Sequence, residues 1–361
     1  MRTTAGLACV VLLAAFIPLA SNAQEKSDWT DRITFKGDLR LRFEGIDEDG
    51  EESRDRGRYR ARLAVTADVQ PNVKVIVEFA SGADNPTSRN VTFDGGFTTK
   101  DIGLDLAYVE WAATDNLTVY GGKMKNPLYR AGGAPLIWDG DLNPEGVAVK
   151  FGKGAFFATA ASFSVEERSS SSDSLLVAAQ VGGNFKLSDD MQLTAGVGYS
   201  AYSNTIGNEP FYNGSSKGNS VDIDGNYIYE YKDTEIFAQL DTRVGDWPLS
   251  VYAQWVNNSE VSEEDSGYAV GVKFGSAKAK GDMEFSWTYL DIEADAVIGT
   301  FNDSDFGGGG TDASGHILKG KYAASKSISL AGTFFINEVD RFQGTEHDFN
   351  RFQLDVQFSF K

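Results

Sequence analysis

The sequence predicts an all-β chain folded as a 16-stranded antiparallel transmembrane β-barrel, with short periplasmic turns and long external loops. Three observations predict it. Apolar and polar residues alternate with a period of two over long stretches. The polar connections between those stretches alternate between short and long. A hydrophobic leader at the N-terminus marks the chain for export.

The leader comes first in the chain. Arg2 supplies a small positive region, Leu7 to Ala20 an apolar core interrupted by Pro18, and Ser21-Asn22-Ala23 the small residues that a signal peptidase reads. Cleavage after Ala23 divides the chain into a signal peptide, residues 1–23, and one barrel domain, residues 24–361, starting at Gln24. The apolar run is shorter than the ~20 residues a membrane-spanning helix needs. Leu7-Ala8-Cys9 sits before the apolar core rather than after it, so it is not a lipoprotein site. Cys9 is the only cysteine and leaves with the leader, which excludes disulfides, a thiolate nucleophile and cysteine metal ligands.

Losing Arg2 takes the net charge from −19 to −20. So acidic a chain is a poor partner for nucleic acid, whose binding depends on neutralising phosphates. No apolar run after the leader reaches membrane-helix length. A mean hydropathy of −0.29 is compatible with a barrel, because lipid-facing and lumen-facing residues average out.

The alternation is explicit in three places. Leu39, Leu41 and Phe43 oppose Arg40, Arg42 and Glu44. Tyr59, Ala61, Leu63, Val65 and Ala67 oppose Arg58, Arg60, Arg62 and Thr66. Phe352, Leu354, Val356, Phe358 and Phe360 oppose Arg351, Gln353, Asp355, Gln357 and Ser359. Such a strand has a different solvent on each face. In the stretch Ile102 to Ala113, Asp105 and Glu110 fall in opposite phases, which a β-bulge would repair.

Short turn chemistry appears at Gln70-Pro71-Asn72, Thr114-Asp115-Asn116, Gly152-Lys153-Gly154, Ser188-Asp189-Asp190, Gly245-Asp246-Trp247-Pro248, 277–281 and Ser325-Lys326-Ser327. Between these lie the longer stretches 46–57, 82–101, 125–145, 166–174, 204–231, 259–265, 294–312 and 340–347. The asymmetry is that of an up-and-down barrel in an outer membrane rather than of a β-sandwich. Sixteen strands put both ends on one side and leave a water-filled lumen. Trp29, Trp111, Trp247, Trp255 and Trp287 fall in or near strand ends, where aromatic rings meet membrane interfaces.

The candidate site is charged. Arg40, Arg42, Arg58, Arg60 and Arg62 share the polar face of two adjacent strands, and Lys36 and Lys74 extend the patch. A long loop leaves the fifth strand at Lys125 and carries Asp139, Asp141 and Glu145. Folded into the lumen, it would oppose carboxylates to the arginines and set up a transverse field. The alternative is that these charges are merely solvated. The two histidines, His316 and His347, lie in separate regions and no nucleophile–base spacing accompanies them, so no catalytic residue is expected. Gly315 to Lys321 has the glycine–lysine spacing of a phosphate loop. Tyr322 replaces the expected Ser or Thr, and no helix follows. The acidic groups Asp47, Glu48, Asp49, Glu51 and Glu52, and Asp303 with Asp305, lack calcium-loop spacing and read as solvated loops, so neither a metal nor a cofactor is expected.

Gly37-Asp38-Leu39-Arg40-Leu41-Arg42-Phe43 resembles the opening strand of the Gram-negative "putative porin" family. Gly122-Lys123-Met124-Lys125-Asn126-Pro127 and the segment Leu136 to Ala148 resemble that family's third-loop region. The resemblance implies an inward-folded loop with Arg130, Asp139, Asp141 and Glu145 lining a constriction, and a homotrimer. One departure is Lys361, which follows Phe360 where such barrels end on an aromatic residue. The implied function is an outer-membrane porin, a passive diffusion channel for small hydrophilic solutes and ions. A substrate-selective, anion-preferring channel, or a non-conducting barrel acting as adhesin or enzyme, remain the alternatives. Expected partners are outer-membrane lipid and lipopolysaccharide and the barrel-assembly machinery.

Overall fold

A lipid-exposed wall has no water to satisfy its backbone, so every N–H and C=O must find a partner within a closed sheet. The computed structural model, which describes residues 29–82, 84–342 and 344–361, has such a wall. Its strands are β1 (Ile33–Glu48), β2 (Arg54–Gln70), β3 (Val73–Ser81), β5 (Ile102–Thr114), β6 (Leu117–Lys123), β7 (Glu145–Lys153), β8 (Phe156–Glu166), β9 (Ser174–Ser188), β10 (Met191–Tyr202), β11 (Lys232–Val244), β12 (Trp247–Asn258), β13 (Ser266–Gly275), β14 (Met283–Ile292), β15 (Ala313–Ala323), β16 (Ile328–Val339) and β17 (His347–Phe360). A two-residue segment, β4 (Val91–Thr92), only lies against β2 and does not cross the wall. Sixteen strands therefore form the barrel, each pairing with its neighbours in chain order. The sheet closes where β1 pairs antiparallel with β17, from Gly37 opposite Phe360 to Glu48 opposite Phe349.

The faces are inverted relative to a soluble protein. Leu39, Leu41 and Phe43 are 40–44% exposed on the outside, whereas Arg42 and Glu44, in the opposite phase, are 7% and 0% exposed. Trp247, Trp255 and Trp287 also face outward. Trp247 and Trp255 stand about 27 Å apart along β12 at the usual strand rise, the spacing expected of two interfacial girdles. The bulge expected in the fourth crossing is present. Glu78 pairs with Leu106 and Phe79 with Leu104, so Asp105 is the extra residue and turns inward along with Leu106.

Turns and loops segregate to opposite ends, as the sequence predicts. Five of the turns have only two residues between strands, such as Pro71-Asn72 and Gly245-Asp246. The first loop is shorter than the sequence suggests: β1 and β2 continue to Glu48 and from Arg54, leaving 49–53. Glu44 accounts for this, since it takes ion pairs from Arg56 and Arg58 across the ladder and keeps that charge-rich stretch in strand conformation.

Three of the loops are not simply external. Loops 124–144, 203–231 and 293–312 fold back into the barrel mouth and build an apolar core there. Leu136 and Trp138 of the first meet Phe211 and Tyr227 of the second and Ile298 and Phe306 of the third, against Phe237, Tyr252 and Leu290 of the wall. Phe301, Tyr202 and Phe211 form a mutually contacting ring triad. Each such fully buried side chain contributes roughly 1.5–3 kcal/mol. The expected signal peptide, residues 1–23, and Cys9 within it lie outside the described residues.

Phe306→Ala removes a ring with no exposure and costs about 3–5 kcal/mol of loop packing. Limited proteolysis of the detergent-folded protein should then cut within 293–312 faster than in the parent; an unchanged rate would show that this ring does not hold the loop.

Candidate functional site

The inward positions of β2 carry Arg56, Arg58, Arg60 and Arg62, spaced about 6.8 Å apart by the two-residue repeat of a strand. Arg40 and Arg42 stand beside them on β1. So many cations can share one wall because carboxylates are interleaved. Asp38 takes Arg60 at 3.0 Å and Arg62 at 2.7 Å. Asp355 of β17 takes Arg42 at 2.7 Å, with Arg40 3.9 Å away. Asp305, from loop 293–312, takes both Arg42 at 3.0 Å and Arg351 at 2.6 Å.

Loop 124–144 crosses from this side to the far wall. Tyr129 N donates to Gln180 Oε1 at 2.8 Å, and both Tyr129 Oη and Gly132 N donate to Gln239 Oε1 at 2.7 Å. The loop's short 3-10 turn, Ala131–Gly133, lies on β11, β12 and β13. Only glycine fits at 132: its φ is +62°, and a Cβ would collide with the Tyr252 ring. On its return the loop is bolted to loop 293–312. Asp139 N donates to Phe301 O at 2.9 Å, Ser304 N to Asp139 Oδ2 at 3.1 Å, and Asn302 Nδ2 to Leu136 O at 2.8 Å. Asp141 is thereby held 3.5 Å from Arg60 and 3.8 Å from Arg62.

Between the arginines and these loops lies a cavity of about 410 Å³, lined by Arg40, Arg42, Arg60, Arg130, Asp139 and Asp141 among others. Those six are the residues from the sequence prediction that the fold brings together. Arg58 lies one rung nearer the loops, in a separate cavity of about 390 Å³. Arg62 and Lys36 line a third, of about 420 Å³, at the short-turn end. Lys74 is exposed at that end, opposite Asp68. Glu145 stands apart from the lumen. It shares the outward phase of Val147 and Val149, is largely exposed, and pairs with Lys123 at 2.9 Å.

Loop 293–312 and four strand residues escape the sequence reading. Asp303 and Asp305 read there as solvated acids, yet both line the 410 Å³ cavity, as do Lys273, Glu284, Lys319 and Gln353. The strand residues carried a usable signal, an inward phase in the alternation. Burial, and then the charge of Asp305, pushes the Asp303 carboxyl up to about 6. Burial and Asp303 hold Asp139 above the usual carboxylate range. For Asp305 burial acts in the same sense, but Arg42 and Arg351 overcome it and keep the carboxyl ionised. His316 faces outward beside Trp287 and Tyr289, while His347 bonds Thr345 O and Glu48 near the loop end, so the two do not meet. Among the described residues no cluster of three or more His, Cys, Asp or Glu is arranged to hold a metal ion.

Comparison with known proteins agrees with the architecture. The chain matches the family described as "Putative porin" over residues 46–229 and 215–360, and it belongs to that family. Its fold is similar to that of Pseudomonas putida OprB in the high-pH structure, with a TM-score of 0.62 and 13% identity over 92% of this chain and 95% of that one. It is also similar to a loop L8 deletion mutant of Vibrio cholerae OmpT (TM-score 0.55, 14% identity, 91% and 100% covered). Salmonella typhi OmpF in complex with daunomycin is a third (TM-score 0.55, 11% identity, 91% and 97% covered). No curated protein sequence matches the chain.

Asp305→Asn keeps the shape but removes the charge that Arg42 and Arg351 share. The folded barrel should lose about 1.5–3 kcal/mol, the worth of a charged hydrogen bond. A urea titration in detergent, followed by tryptophan fluorescence, reads this as a lower midpoint; no change would mean the two arginines find equal partners elsewhere.

Proposed function

We propose that this protein is a passive outer-membrane channel in which small hydrophilic solutes and ions cross a charged constriction. The observation that carries the reading is the opposition, across the 410 Å³ cavity, of the β1–β2 arginines and the carboxylates Asp139, Asp141, Asp303 and Asp305 of two inward loops. Opposed charges in a narrow, low-dielectric passage make a transverse field that orients dipolar solutes and rejects apolar ones. The three cavities follow one another along β2: Arg56 and Arg58 line the first, Arg60 the second and Arg62 the third. On the porin reading the loop end is external and the short-turn end periplasmic. No bond-making step is asked of any residue. The trimer form recorded for Vibrio cholerae OmpT supports a homotrimer here too, and gel migration before and after heating would test it.

Purified protein in a planar bilayer should conduct, and the absence of any current would sink the porin reading. Arg42→Ala or Arg60→Ala takes a cation from the constriction and should move the reversal potential in a salt gradient toward cation preference. Unchanged selectivity would remove both residues from the filter.

The pH dependence has a definite sign. A carboxyl with a raised pKa is ionised above that value and neutral below it. As pH falls from 7.5 to 5, Asp303 takes up a proton and the constriction loses negative charge while its arginines keep theirs. Anion permeability should rise over that window, and Asp303→Asn should remove Asp303's share of the change, leaving only what Asp139, also raised by burial, contributes. A shift that persists in Asp303→Asn would have to come from another group.

A further inference from the structure

The cavity at the loop end differs in chemistry from the constriction below it. Arg56, Arg58, Lys217 and Arg351 line it, and no described carboxylate does. The constriction mixes both signs. The cations of the outer cavity are also incompletely neutralised from behind. Arg56 and Arg58 lean on a single carboxylate, Glu44, and Arg351 shares Asp305 with Arg42. Lys217 forms no ion pair among the described residues. Arg58 Nε and Arg351 Nε have no acceptor, so the wall holds more donors than acceptors. In a chain of net charge −19, an all-cation basin is not the product of average composition.

The basin is also built rather than incidental. Lys217 has a φ of +52°, a conformation side-chain-bearing residues rarely adopt. It is kept there by loop 293–312: Thr311 N donates to Lys217 O at 2.9 Å, and Gly299 and Gly310 come so close that a Cβ on either would collide with that oxygen. Asn219, almost wholly buried, ties the two loops together through Ala294 O, Val297 O and Gly299 N. Strain held this firmly is a pointer to function. The remaining lining consists largely of hydroxyls, amides and the Gly308–Gly310 backbone.

We propose that this outer cavity is a binding site for small oxyanion-bearing solutes, carboxylates or phosphates, which occupy it before passing Arg60. Guanidinium groups match the planar edge of a carboxylate or the face of a phosphate with paired N–H donors, and Lys217 adds a mobile point charge. The site rests on the channel reading for its route, not for its chemistry. Solute held here is passed along β2 to the next rung, so the cavity raises local anion concentration where the acidic surface would otherwise lower it.

The test uses the full-length folded protein in two measurements. In a planar bilayer carrying chloride current, inorganic phosphate, with acetate in a parallel arm, should reduce the current saturably. Lys217→Gln should raise the half-blocking concentration about tenfold, the loss of one charge-assisted contact, and Lys217→Glu should abolish the block. Chloride current should remain measurable in both variants, because the Lys217 side chain is exposed and lies outside the constriction, so the block can be read in each against its own chloride baseline. Block by acetate alone would assign the site to carboxylates, and block by phosphate alone to phosphates. A conducting channel with no saturable block by either anion, or with block indifferent to both variants, overturns the proposal and leaves the channel reading standing. Phosphorus NMR line broadening by the detergent-folded protein, lost in Lys217→Glu, reads phosphate binding even if no current flows. Absence of both broadening and block would remove the site.

Discussion

Closure of the sheet between β1 and β17 is the constraint on which everything else depends. Once no strand edge is free, the outside can be apolar and the inside must hold whatever the other half of each alternating strand carries. On β1 and β2 that other half is a file of arginines. The lumen's chemistry is thus a consequence of building a wall from Leu-Arg-Leu-Arg rather than from Leu-Ser-Leu-Ser.

Arginines packed so closely repel one another unless anions are interleaved, and the fold finds these anions at three levels. Some are in the same wall: Asp38, Glu44 and Asp355. Asp141 arrives on loop 124–144, and Asp305 on loop 293–312. The loops enter for an apolar reason as well, since Leu136, Trp138, Ile298 and Phe306 have no other place to escape water. Hydrophobic burial and ion pairing therefore act together to narrow the barrel at one level. The outer cavity is what remains above that level, where the supply of loop carboxylates stops.

Much of this is written locally. The alternation at Leu39 to Phe43, the phase break at Asp105 and the segregation of turns from loops each follow from a two-residue repeat that can be counted along the chain. Glu145 shows where such counting fails. It closes a loop motif rich in carboxylates, yet it opens β7 in the outward phase and faces away from the arginines. Asp305 fails in the opposite direction: a loop acid with no local pattern becomes the partner of two arginines from strands far from it in sequence.

The sequence by itself determined the barrel, its number of crossings and which face of each alternating strand meets lipid, because these depend on neighbours one or two residues apart. Only the tertiary structure decided that three long loops return to the lumen, that loops 124–144 and 293–312 are joined through Asp139, and that the charged side chains lining the outer cavity are all cations. Those outcomes rest on contacts between segments many tens of residues apart, and in the case of Asp139 with Ser304 more than a hundred. Their geometry is fixed by where the closed wall places the loop ends, and no local periodicity encodes that.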